Sequence, residues 1–175
     1  MRRFVVAALV FIVCGFWCFA FTLDLSLDSF VLKDVALRSP DYQSGLQVAV
    51  LLEKDFQIRV PLTVTYKKNL VCFEGALKVA YYPFSKGLFL SLSMLDMAYL
   101  YNMGERSARQ YTLNEIEAGW TFFIGKRFFI EPSVCFRDPS GTFTDEYEEL
   151  RGYFNSYSKI RIRLLCGYRL FEEAR

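Results

Sequence analysis

Along most of this chain, hydrophobic and polar residues trade places at every step. Leu23, Leu25 and Leu27 alternate with Asp24, Ser26 and Asp28, and Leu46, Val48, Val50 and Leu52 alternate with Gln47, Ala49, Leu51 and Glu53. Phe56, Ile58, Val60, Leu62, Val64 and Tyr66 oppose Gln57, Arg59, Pro61, Thr63 and Thr65; Phe73, Gly75, Leu77, Val79 and Tyr81 oppose Glu74, Ala76, Lys78 and Ala80. The same period returns at Leu88–Met94, Glu115–Ile124, Phe128–Arg137 and Lys159–Leu170. A period of two puts successive side chains on opposite faces of a β-strand. Eight such runs, most of them about 9–11 residues long, predict eight antiparallel strands, an even number long enough to cross a bilayer when tilted.

The connections alternate as well. Lys54-Asp55, Pro83–Gly87 and Gly125–Arg127 are tight, whereas Lys33–Ser44, Leu100–Tyr111 and Asp138–Tyr157 read as long loops, with Lys67-Lys68-Asn69 the short one on that side. Tight turns at one end and long loops at the other are the layout of an up-and-down transmembrane barrel. The expected fold class is therefore all-β, an eight-stranded antiparallel up-and-down transmembrane β-barrel. A soluble barrel alternates too, with its apolar face inward. Large apolar residues crowd one face of every run, and small or hydroxyl residues such as Ala49, Thr63, Ala76, Ser91, Ser133 and Gly167 recur on the other, so the polar face is expected to line a narrow lumen. Asp96 shares the parity of Met94 and ought to face outward; either it lies at the rim or a bulge near Met94-Leu95 resets the phase.

One segment breaks the alternation. Arg2 and Arg3 precede an uncharged run, Phe4–Ala20, that ends with Cys18 and Ala20 at the −3 and −1 positions of a cleavage site. Residues 1–20 are expected to be a signal peptide and residues 21–175 the barrel, exported to the outer membrane. The alternatives are a retained anchor and, less well supported, a lipoprotein, because Val13 and Trp17 precede Cys14 and Cys18 where Gly or Ala is wanted.

Composition then narrows the chemistry. The chain has 21 basic and 19 acidic residues; without Arg2 and Arg3 the two signs balance at 19 each, which argues against a nucleic-acid partner. It contains no histidine. Serine–histidine hydrolysis, the commonest metal ligation and most general-base catalysis lose their key residue, so no enzyme activity, cofactor or metal is expected. Glu115 and Glu117 could suggest acid–base work, but two positions apart on one strand face they are better read as partners for the basic last strand.

The polar face carries the charges Asp24, Asp28, Arg59, Glu74, Lys78, Glu115, Glu117, Glu131, Arg137, Lys159, Arg161 and Arg163. Buried charges need partners, so these residues are expected to form a lumen network, with Arg161 and Arg163 beside Asp24 and Asp28 where the last strand meets the first. Such a network either plugs the lumen or lines a narrow selective pore. Cys72 and Cys135 are expected to face the lumen, too far apart for a disulfide, and Cys166 to face outward. In the last loop, Glu146, Tyr147, Tyr153, Phe154 and Tyr157 form either a solvated charged turn or an exposed partner-binding surface.

Tyr81-Tyr82-Pro83-Phe84 with Gly87-Leu88-Phe89-Leu90, Gly125-Lys126-Arg127-Phe128-Phe129-Ile130-Glu131-Pro132 and the ending Gly167-Tyr168-Arg169-Leu170-Phe171 are similar to turns, strands and the C-terminal signal of the small eight-stranded outer-membrane proteins, the group of the OmpA transmembrane domain and OmpX. Glu172–Arg175 after the terminal aromatic departs from that pattern. The resemblance implies outer-membrane lipid and the barrel assembly machinery as partners and a structural or adhesive role through the loops, with an extracellular ligand as a further partner. A narrow porin-like channel and a soluble periplasmic lipid-binding barrel are the competing functions.

Overall fold

The computed structural model describes residues 22–28, 41–52, 55–84 and 87–171. The expected signal peptide and most of the first long loop lie outside these residues. In chain order the strands are β1 (Thr22–Asp28), β2 (Tyr42–Leu51), β3 (Phe56–Lys67), β4 (Leu70–Tyr81), β5 (Leu88–Asn102), β6 (Ser107–Thr112), β7 (Glu115–Trp120), β8 (Phe122–Ile124), β9 (Phe128–Arg137) and β10 (Ile160–Phe171). One helix, α1 (Thr144–Tyr153), lies between β9 and β10. Segments β6, β7 and β8 are pieces of one barrel strand: β6 and β7 both pair with β5, and β7 and β8 both pair with β9. Every neighbour is antiparallel, and β10 pairs with β1, with Asp24 opposite Arg169 and Leu25 opposite Tyr168. The result is a closed eight-stranded barrel.

The alternation decides which face goes where. Ile162 is 64% exposed and Leu62 49%, whereas Arg59 on the other face is 0% exposed. The apolar face thus points outward on every strand, and the polar face is the interior. Two interior glycines make room for aromatic rings. A Cβ on Gly119 would fall 2.6 Å from Phe89, its cross-strand partner, and one on Gly167 would collide with the ring of its partner Phe129. Each ring lies over a neighbour's bare backbone, filling a lumen that is only wide enough for side chains.

Asp96 is reached through a bulge. Leu77 pairs with Leu95 and Lys78 with Ser93, so Met94 is an extra residue in β5. Met94 and Leu95 both face outward, and Asp96 is turned inward with 1% exposure. An inserted residue inverts the phase of everything beyond it.

The loop end differs from expectation at two places. Residues 100–111 are not a long loop: β5 and β6 run on as a hairpin, pairing Asn102 with Ser107. The acidic stretch after Asp138 is more than a turn, forming the ten-residue helix α1. Leu150, Phe154, Tyr147 and Tyr157 are buried against Cys72, Ala98, Leu100, Tyr111 and Leu113 of the barrel wall. The helix therefore caps the mouth of the barrel with an apolar cluster.

Candidate functional site

The interior is a stack of ion pairs. Near the tight turns, Arg59 reaches across the barrel from β3 to Glu131 on β9, with Nη1 and Nη2 donating to the two carboxylate oxygens at 2.8 and 3.0 Å. Its Nε donates to Gln57 at 2.9 Å and Nη2 to the Tyr82 hydroxyl at 2.6 Å. The guanidinium also lies 4.0 Å from the centre of the Phe89 ring. Thr121 donates to the same Glu131 at 2.7 Å. A bidentate arginine–carboxylate pair whose Nε and second Nη2 donors are also bonded goes far to meet the requirement for burying charge.

In the middle, Lys78 is bonded to Glu115 and, at 3.1 Å, to Glu117. Glu117 also accepts from Arg163 at 3.2 Å and from Ser133 at 2.6 Å. At the barrel closure Arg161 donates to Asp28 at 3.0 Å, and Arg163 lies 3.6 Å from the same carboxylate. Asp24 is held instead by Arg169, at 2.8 Å. The expectation that Arg161 and Arg163 serve both aspartates is corrected here: the register sets Arg169 directly opposite Asp24.

Toward the loop end, Arg137 sits loosely between two acids, its Nη2 3.5 Å from Glu74 and its Nε 3.6 Å from Glu115. Its Nη1 donates to the Ser156 carbonyl at 3.0 Å, and its guanidinium lies 4.6 Å from the centre of the Tyr157 ring. Arg137 therefore joins the ion-pair stack to the cap. Burial pushes the Tyr147 and Tyr157 phenols above their ordinary values, so both are neutral members of that cap.

Eleven of the twelve charges expected in the lumen face it. Lys159 does not; it is exposed, 6.0 Å from the centre of the Phe136 ring, because it precedes the first residue of β10 and escapes the alternation. The expected binding loop is also corrected in part. Tyr147, Phe154 and Tyr157 are buried in the cap instead of presented outward, Tyr153 and Glu146 are half-buried, and the Tyr153 carbonyl accepts from Lys67 at 2.6 Å. Sequence reasoning missed Tyr82, Phe89 and Phe129 as interior residues: Phe89 and Phe129 fall on the polar face of their runs, where a large aromatic was not looked for, and Tyr82 lies just past the end of β4. Cys72 and Cys135 are buried, Cys166 is exposed, and all three are free thiols.

The bore is filled. A cavity of about 10 Å³, bounded by Pro61, Thr63, Glu74, Ala76, Lys78, Glu115, Arg161 and Arg163, admits at most one water molecule. Among the described residues, the ion-pair stack holds seven acids (Asp24, Asp28, Glu74, Asp96, Glu115, Glu117, Glu131) and six bases (Arg59, Lys78, Arg137, Arg161, Arg163, Arg169), and Asp41 pairs separately with Lys67 at 3.3 Å.

No family model, curated protein or solved structure matches this chain. The barrel alone does not identify it as a member of the OmpA and OmpX group, so its function must be argued from its own surfaces.

Proposed function

We propose that this chain is a non-enzymatic integral outer-membrane protein whose role is structural or adhesive, exercised at its loop end, around a plugged lumen. The observation that carries this reading is the outer surface. On β3, Phe56 and Tyr66 are exposed at the two ends, with only Ile58, Val60, Leu62 and Val64 facing outward between them. Ten residue steps at about 3.3 Å span about 33 Å, which a tilt of 35–45° reduces to about 23–27 Å across the membrane. That matches the apolar band of about 25 Å, flanked by aromatic girdles, of such barrels. Tyr81, Trp120, Phe122 and Phe128 share the level of Phe56, while Tyr42, Tyr99 and Tyr101 lie toward that of Tyr66. A soluble protein rarely exposes a contiguous apolar patch beyond a few hundred Å², and this band runs around all eight strands.

The filled lumen and the α1 cap favour this reading over the porin-like channel, and the outward apolar face favours it over a soluble lipid carrier. Trp120 supplies the test, as the only tryptophan in residues 21–175. The chain refolded into vesicles should show its fluorescence quenched most by labels near the headgroups, a heat-dependent gel shift, and no conductance in planar bilayers. A folded chain that stays in solution without detergent and shows no quenching would return the soluble barrel. Reproducible openings altered by Arg161→Gln or Arg163→Gln would return the channel.

A further inference from the structure

The acid left over in the lumen is Asp96, and its surroundings are built. Among the described residues it makes no ion pair, and its Oδ1 is buried without a hydrogen bond. Glu74 on β4 and Glu115 on β7 converge with it: one oxygen from each of the three lies within 4.8 Å of the other two. Glu74 Oε2 and Glu115 Oε2 are likewise buried without a hydrogen bond, since Arg137 stands at 3.5 and 3.6 Å and does not complete either.

Two irregularities of the backbone bring this cluster about. The Met94 bulge turns Asp96 inward. In the adjacent strand the break at Leu113-Asn114 lies alongside, where the Leu113 N–H donates to the Asp96 carbonyl at 2.9 Å, and Glu115 starts the next segment. Bulges that re-aim a side chain are features a barrel keeps for a reason.

We propose that Glu74, Asp96 and Glu115 bind one hard cation of the calcium class beneath the α1 cap. The donors are all carboxylate oxygens, the set that suits hard cations. Three points within 4.8 Å of one another share a centre at most about 2.8 Å from each, which small side-chain adjustments bring to calcium–oxygen distances of about 2.3–2.6 Å. Magnesium, at about 2.0–2.1 Å with strict octahedral demands, fits poorly. Lys78 and Arg137 share Glu115 and Glu74 with the ion and weaken its hold. The expected affinity is that of weak extracellular modules, about 0.1–1 mM. The site depends on the fold and not on the membrane reading, so either can fail without the other.

The refolded chain in detergent, in 0.15 M potassium chloride, tests this by equilibrium dialysis with radioactive calcium alone and by thermal unfolding. One calcium per chain at saturation is expected. At about ten times the dissociation constant, the unfolding midpoint should rise by about 3–5 °C with calcium and by less with magnesium. Asp96→Asn should erase the calcium effect, and Glu105→Gln, at the exposed rim, should keep it. No bound calcium, or a calcium effect that survives in Asp96→Asn, overturns the site. Should Asp96→Asn not fold, dialysis of the unsubstituted chain and of Glu74→Gln decides, with unchanged binding in Glu74→Gln again overturning it.

Discussion

The two halves of the lumen bury an arginine in different ways. At the turn end, Arg59 is locked inside the strand wall: four hydrogen bonds and a stacked ring come from β3, β5, β9 and the turn after β4. At the loop end, the Arg137 side chain makes one hydrogen bond among the described residues, to the Ser156 carbonyl, and its Nε and Nη2 have none. What shields it is the cap, through Tyr147 and Tyr157. One charge is held by the barrel itself and the other by a segment laid over it. The first should belong to the cooperative core, whereas the cap that shields the second is expected to open locally without the barrel unfolding.

Three measurements sharpen or break this contrast. The largest effect is expected at the turn end. Arg59→Met leaves Glu131 buried and without its arginine, at a cost of about 3–5 kcal/mol, read as a lower urea midpoint of the heat-shifted gel form. The double replacement Arg59→Met with Glu131→Leu should recover most of that loss, because both charges are then gone. A double variant as unstable as the single would show that the pair acts through something other than charge compensation.

A smaller and more local effect is expected at the cap. Leu150 is fully buried in the apolar cluster, and Leu150→Ala removes about 2–3 kcal/mol of packing there. Trypsin should cut faster after Arg151 and amides of residues 144–153 should exchange faster, while the urea midpoint of the barrel moves little. A matching fall in the barrel midpoint would mean that cap and wall are one unit.

The smallest effect concerns the hinge before α1. Asp138 adopts a left-handed backbone, φ 51°, one of the conformations aspartate tolerates. Burial raises its carboxyl, but hydrogen bonds from the Thr144 hydroxyl and the Phe143 and Thr142 N–H groups outweigh that, so it lies below its ordinary value. A depressed carboxylate contributes stability that is present above the unfolded value, about 3.9, and lost as pH falls through the folded one. The near-ultraviolet dichroism of the cap tyrosines should therefore weaken below pH 4, and in Asp138→Asn it should be weaker throughout and lack this pH dependence. An unchanged acid transition in Asp138→Asn would assign it to another group.

Much of this was legible in the sequence, for reasons that differ residue by residue. The alternation at Phe56–Tyr66 is a local property of extended backbone, so it fixed both the strand and the faces of its side chains before any partner was known. The inward placement of Arg59, Glu131 and Lys78 followed from parity alone. Lys159 was misplaced because parity has no meaning one residue before a strand begins. Asp96 was undecidable because a bulge in β5 is recognised only against the register of β4. The loop aromatics Tyr147, Phe154 and Tyr157 carried no period that could separate an exposed patch from a buried cap.

The sequence by itself determined that the chain is an eight-stranded β-protein with one polar and one apolar face, because each strand writes its own pattern. Tertiary structure alone decided who meets whom inside. Barrel closure brings Arg161 to Asp28 from 133 positions away, the bulge at Met94 turns Asp96 to Glu74 and Glu115, and Tyr147 of α1 and Tyr157 after it fold over Arg137. Those contacts depend on register, stagger and loop path, which are set by all eight strands together and by no single stretch of the chain.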